Sequence, residues 1–195
     1  KDKKTFLILG DIGVFGFRNL FKNNKNQIIN IGILEQSTIS FAAGLSKNNI
    51  IPIVHTIAPF LVERSFEQLK IDFGYQNLRG NFISVGSSYD YAGLGCTHHC
   101  PADINLIKNI PNFEILIPGS SQEFDYLFRK TYNNYNSTYF RLSEHENKKS
   151  YNLNIGEGKL LFKGKKGTII AFGPVLNYLD EIAKNFDINL IYYNS

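Results

Sequence analysis

The chain has 195 residues, 43% of them hydrophobic and 14% aromatic, which is enough for an ample core and far from the composition of a disordered segment. Its net charge of +4 is modest, and the basic runs Lys1-Asp2-Lys3-Lys4 and Lys163-Gly164-Lys165-Lys166-Gly167 lack interleaved aromatics, so no nucleic-acid surface is expected. No apolar run approaches the roughly 20 residues that cross a bilayer, no signal peptide is visible, and a cytoplasmic location with no membrane partner is expected.

Strands are predicted over residues 5–9, 27–33, 50–55, 81–86, 113–117 and 137–142, and helices over much of 15–23, 36–47, 60–78, 101–109 and 121–134. This alternation implies right-handed crossovers and an α/β fold, a mostly parallel open sheet with helices on both faces. The first strand ends in Leu9-Gly10-Asp11-Ile12-Gly13, where Asp11 either serves a ligand or caps the following turn. After an Asn/Lys-rich loop, Lys22 to Asn26, the Ile-rich run Gln27 to Ile33 suits a strand buried on both faces. That run leads into Gly32-Ile33-Leu34-Glu35-Gln36, an acid just where a helix should begin. A carboxylate there sits at the carboxyl edge of a parallel sheet, where open α/β folds bind ligands. First-turn acids also offset the helix dipole, and on the residues alone both readings stand.

Val62, Phe66, Leu69 and Phe73 recur at helical spacing and give the longest predicted helix an apolar stripe. Phe60, beside Pro59 at the helix entrance, is placed to face a ligand instead of the core. Between the strand near Asn81 to Val85 and the helix at Pro101 lies Gly93-Leu94-Gly95-Cys96-Thr97-His98-His99. The cluster Cys96-Thr97-His98-His99-Cys100 invites a zinc reading, but a structural site needs four convergent ligands, usually two separated pairs. Here the candidates are crowded together, and His55 and His145 are isolated. A Cys96–Cys100 disulfide would close a tiny loop and be unusual in a reducing cytosol. Polar loop residues at a substrate cleft are the more economical account.

A boundary is predicted near residues 144–158, where Glu144 to Asn154 is polar and Gly156-Glu157-Gly158 completes a linker-like passage. The division is thus 1–150 and 151–195. The second part reads as a partial β-α-β unit: Gly167 to Gly173 as a strand, Pro174 at a helix start, and Ile188 to Tyr193 as a strand. The sequence begins with Lys1 and contains no Met, so a fragment of a longer protein is expected.

Several of these segments, taken in order, resemble the transketolase family. Ile31-Gly32-Ile33-Leu34-Glu35-Gln36 is similar to the Gly-Ile-x-Glu-Gln motif of the pyrimidine-binding domain of thiamine diphosphate enzymes. Gly95-Cys96-Thr97-His98-His99 resembles the family's Gly-Pro-Thr-His-His loop, and Gly10-Asp11 its first-strand ending. Thr56 to Phe60 followed by Arg64-Ser65-Phe66-Glu67-Gln68 looks like the aromatic segment lining the pyrimidine pocket. Pro111-Asn112 and the Ile117-Pro118-Gly119-Ser120 turn also match.

The resemblance implies the thiamine diphosphate-binding fold, followed by the start of the C-terminal transketolase domain. It implies that Glu35 hydrogen-bonds a ring nitrogen of the cofactor's aminopyrimidine and promotes loss of the thiazolium C2 proton. It further implies that His98 polarises substrate oxygens, that Phe60 stacks on the pyrimidine with Ile57 nearby, that Arg64 is a contact, and that Asp11 orients the cofactor. The activity implied is transfer of a two-carbon ketol unit from a ketose to an aldehyde. Related alternatives are a 1-deoxyxylulose-5-phosphate synthase-like enzyme, a 2-oxoacid dehydrogenase β-subunit-like enzyme, or a noncatalytic assembly subunit. The Gly-Asp-Gly pattern that holds Mg2+ and diphosphate is absent from this chain. A diphosphate-binding domain or subunit is therefore the implied partner, in a homodimer or heterotetramer. Two positions depart from the family: Leu94 stands where an acid reads a sugar hydroxyl, and Glu144 where an arginine holds substrate phosphate. Arg141 is retained without a clear counterpart.

Overall fold

The computed structural model describes residues 2–195. The elements are β1 (Thr5–Leu9), α1 (Arg18–Asn23), β2 (Ile28–Asn30), α2 (Glu35–Lys47), β3 (Ile51–Ile57), α3 (Ala58–Val62), α4 (Phe66–Gln68), β4 (Gly80–Val85), α5 (Asp103–Ile107), β5 (Phe113–Leu116), α6 (Ser121–Thr131), β6 (Ser137–Arg141), β7 (Lys159–Phe162), β8 (Thr168–Phe172), α7 (Leu176–Phe186) and β9 (Asn189–Tyr193). They form two compact units. The first comprises the chain up to Ile115 together with Tyr132–Arg141, and the second Leu116–Thr131 together with Leu142–Ser195. Among the described residues no helix is long and apolar enough to cross a membrane.

The six-stranded sheet has the order β2-β1-β3-β4-β6-β5. Pairings β1–β2, β1–β3, β3–β4 and β4–β6 are all parallel, so the mostly parallel α/β architecture read from the sequence is the one observed. Strand alternation feeds both faces. Ile8, Val54, Phe82 and Tyr139 pack with Ile39, Ala42 and Ala43 of α2, Leu61 and Val62 of α3, and Ile107 of α5. Leu7, Leu9 and Ile28 point the other way, against Leu20 and Phe21 of α1.

Two local expectations are corrected. The Ile-rich segment is not a strand buried on both faces: β2 is an edge strand of three residues, and Ile29 and Ile33 are exposed. Gly32, with φ +83°, turns the chain out of the sheet toward α2, a conformation that glycine adopts without strain. The helix predicted over 60–78 is also interrupted. Ser65 leaves helical geometry (φ −115°, ψ 23°), its hydroxyl donating to the Leu61 carbonyl, and α4 then widens into a π turn over Leu69–Tyr75. The apolar stripe nonetheless faces the core, with Val62, Leu69 and Phe73 fully buried.

In the second unit β8 and β9 are parallel and joined through α7. The expected β-α-β piece carries in addition β7, antiparallel to β9. Its core gathers Ala171, Leu176, Ala183, Leu190 and Tyr192. Glu123 of α6 is fully buried there, and its carboxylate accepts from the Gly119 and Tyr151 N–H groups and the Tyr192 hydroxyl.

Candidate active site

Because β1, β2, β3, β4 and β6 run in one direction, their carboxyl ends share an edge of the first unit. That edge receives Asp11, Glu35, the Ile57–Phe60 corner, the loop bearing His98, and Arg141. The strand order reverses between β1 and β3, the kind of switch point at which such sheets bind ligands.

Glu35 is the first residue of α2, yet it is not a solvated helix-end acid: it is only 3% exposed. Its Oε2 accepts from Arg64 Nη1 at 2.8 Å, while Oε1 is buried and has no hydrogen-bond partner among the described residues. A buried, unpaired carboxylate oxygen is costly and calls for a reason. Arg64 also lies over the Phe60 ring, with its guanidinium carbon 4.1 Å from the centroid. Phe60 meets the His98 imidazole edge to face, with centroids 5.2 Å apart. Thr97 Oγ1 and His98 Nδ1 are 3.0 Å apart, and Tyr91 flanks the same imidazole. Glu35, Arg64, Phe60 and His98 therefore form one continuous group.

Ile57 and Asp11 lie at the same sheet edge, Ile57 at the end of β3 and Asp11 just after β1. Ile57 is the half-buried last residue of β3, immediately before α3. Asp11 has φ +67° and is tied to Asn30: its N–H donates to Asn30 Oδ1 at 2.9 Å, and Asn30 Nδ2 donates back to Asp11 Oδ1 at 3.0 Å. Asn30 also receives the Gly32 N–H. No motif in the sequence marks this residue, because its role comes from a contact with a loop 19 residues earlier in the chain.

His55 looks isolated in the sequence, but it sits on β3 with Nδ1 donating to the Ile83 carbonyl at 3.0 Å. A carbonyl can only accept, so that bond fixes the Nδ1–H tautomer. Burial pushes the imidazole pKa down, and the backbone bond partly offsets it. A Cβ on Gly13 would come within 3.2 Å of the ring, so this glycine, with φ +77°, packs directly on the histidine.

The cysteine–histidine cluster diverges. Cys96 is exposed, His99 turns to Tyr89 and the Ala92 carbonyl, and Cys100 is buried with Sγ donating to Glu63 Oε1 at 3.6 Å. Burial first, then the Asp103 and Glu63 carboxylates, push the Cys100 thiol pKa far up. Arg141 is committed to the scaffold beneath this loop. Its Nε donates to Asp103 Oδ2 at 2.7 Å, and its Nη2 donates to Ser88 Oγ. Tyr139 donates to the same Asp103 oxygen at 2.9 Å. Ser88 and Cys100 form an antiparallel bridge, so the loop carrying His98 is closed at its base by these residues. Leu94 is exposed on that loop, and Glu144 is exposed in the second unit.

Residues 2–149 match the family model for the transketolase pyrimidine-binding domain, and the chain belongs to this family of thiamine diphosphate-dependent enzymes. The chain is 32% identical over 191 residues to an uncharacterized 33.6 kDa protein in the fasciation locus of Rhodococcoides fascians, covering 98% of this chain and 61% of that protein. It is 31% identical over 166 residues to a subunit of apulose-4-phosphate transketolase from Actinobacillus succinogenes, covering 83% of this chain and 53% of that relative. The chain thus spans little more than half the length of these relatives. A solved split-gene transketolase, an inactive β4 tetramer, superposes with a TM-score of 0.85 at 22% identity, over all of this chain and 66% of that one. That likeness establishes the fold.

The family's cofactor presents a pyrimidine, and the residues here suit it. Glu35 Oε1 is a buried polar atom without a partner among the described residues, and Arg64 joins this carboxylate to the Phe60 ring, which in turn meets His98.

Proposed function

We propose that this chain is the pyrimidine-binding component of a transketolase-like transferase that moves a two-carbon ketol unit from a ketose to an aldehyde. The observation that carries the reading is Glu35: buried, held at Oε2 by Arg64, and unpartnered at Oε1. Such a carboxyl can exchange a proton with a ring nitrogen in a site shielded from water. When bound, thiamine diphosphate supplies the electron sink for cleavage and formation of the carbon–carbon bond. Phe60 and Ile57 offer the apolar wall for its pyrimidine, Arg64 and Asp11 hold the polar edge of the pocket, and His98 moves a proton at a substrate oxygen. The thiols of Cys96 and Cys100 are free, which suits a cytoplasmic enzyme.

Residues 1–150 form the pyrimidine domain in this reading, and 151–195 begin the C-terminal domain. Hard-oxygen ligands for Mg2+ and diphosphate come from a further domain or subunit. The relationship to a protein named as one subunit of a transketolase supports a separate partner, in a homodimer or heterotetramer. Reconstitution tests the proposal. The isolated 195-residue chain is expected to bind cofactor weakly and to be inactive, and addition of a diphosphate-binding subunit is expected to restore turnover. Robust turnover by the isolated chain would refute it.

A further inference from the structure

The two carboxylate oxygens of Glu35 have different surroundings. Oε2 accepts from Arg64 Nη1 at 2.8 Å, whereas Oε1 is buried without a partner among the described residues. A guanidinium can grip both oxygens of a carboxylate through its planar fork. Here the guanidinium lies over the Phe60 ring at 4.1 Å and makes a single bond to the acid. Its backbone is fixed as well, because the Arg64 N–H donates to the Pro59 carbonyl at 3.0 Å and closes the turn that sets Arg64 beside Phe60.

A wholly exposed ion pair would be worth little. This one is exposed on one side only, since the Arg64 side chain is 40% exposed and that of Glu35 3%. Without the guanidinium, a buried carboxylate would be left unpaired at both oxygens and free to turn about its terminal torsion, which has broad wells.

We infer that Arg64 is a positioning residue that clamps Oε2, leaving Oε1 as the one oxygen of Glu35 presented to the cofactor's pyrimidine nitrogen. Arg64 acts through Glu35 and touches neither substrate nor the reacting carbon. Phe60 in turn serves as the platform that sets the guanidinium. The inference rests on the proposed role of Glu35 and assigns that role to a particular atom.

The test uses the complete protein assembled with its diphosphate-binding partner, loaded with thiamine diphosphate and Mg2+. Cofactor affinity is measured by calorimetry, and exchange of the C2 proton at saturating cofactor by NMR, for Arg64→Met, Arg64→Lys and Glu35→Gln. In Arg64→Met the saturated exchange rate is expected to fall about a hundredfold, the scale of a small misplacement of a catalytic group, while affinity changes by less than about tenfold. Arg64→Lys should recover part of the rate, and added guanidinium ion should partly rescue Arg64→Met. If Arg64→Met weakens affinity but exchanges normally at saturation, Arg64 is only a binding contact and the inference is overturned. Glu35→Gln separates the two levels. Slow exchange in Glu35→Gln with normal exchange in Arg64→Met overturns the Arg64 inference alone, and normal exchange in Glu35→Gln overturns the reading beneath it. Should Arg64→Met fail to fold, Arg64→Lys decides: it keeps the charge but loses the planar group that Phe60 holds in place, so fully normal saturated exchange would overturn the inference.

Discussion

Removal of the Arg141 guanidinium should expose how the base of the His98 loop is held. The Asp103 side chain is 0% exposed and that of Arg141 13%, with Nε and Oδ2 at 2.7 Å. Asp103 Oδ2 also takes the Tyr139 hydroxyl, while Oδ1 has no partner among the described residues. Arg141→Met therefore leaves a buried carboxylate with one neutral donor, a change that costs about 3–5 kcal/mol in comparable buried pairs. Tyr139 keeps its second partner, Ser84 Oγ at 2.9 Å, so the loss centres on the charge. For a unit of this size the melting temperature should drop by roughly 10 °C. The double variant Asp103→Leu/Arg141→Met removes both charges and should be more stable than Arg141→Met alone by about 1–3 kcal/mol, because no buried ion is stranded. Urea unfolding followed by tyrosine fluorescence reports both values. An Arg141→Met protein within about 0.5 kcal/mol of the parent, the range of neutral surface changes, would refute the buried-pair reasoning.

Of the two thiols, exposed Cys96 should react rapidly with a disulfide reagent at neutral pH, whereas Cys100, buried beside Glu63 with its pKa pushed up, should react only on unfolding. A thiol count with and without denaturant checks this. His55 has a folded-state pKa below its ordinary value of 6.5. Above about pH 6.5 the imidazole is neutral in both states and has no linkage effect; as pH falls through that value the unfolded chain takes up a proton that the folded one resists. Stability should thus decline from about pH 7 toward pH 5, levelling once the folded imidazole protonates, and His55→Gln should flatten that part of the profile. By the family resemblance, Leu94 is expected to stand in place of a hydroxyl reader and Glu144 in place of a phosphate clamp, and Arg141 is already engaged by Asp103 and Ser88. A substrate panel on the complete enzyme is expected to favour an unphosphorylated or differently tethered sugar, and a best pair of ribose 5-phosphate and xylulose 5-phosphate would contradict that.

Hydrophobic periodicity and turn residues make most of the first unit legible. The predicted limits of β1 are the observed ones, and those of β4, β5, β6 and α2 lie within a residue or two. The edge position of β2 is not legible, because it follows from the order 2-1-3 around β1 and not from the composition of the strand. The break at Ser65 is hidden for a similar reason: the apolar stripe continues through it, while a hydroxyl bond to Leu61 disrupts the backbone. Glu35 and His98 stand out through local motifs, but their link through Arg64 and Phe60 depends on tertiary packing. His55, Asn30 and Asp103 act through cross-strand and loop contacts that leave no signature in local spacing.

The central claim is that Glu35 promotes loss of the cofactor's C2 proton, and proton exchange at that carbon measures it most directly. In the complete assembly, Glu35→Ala is expected to fold normally, yet to exchange the C2 proton slower by several powers of ten, each worth about 1.4 kcal/mol in activation free energy. Exchange at a near-normal rate in Glu35→Ala would contradict the account and return this buried acid to the role of a helix-end residue.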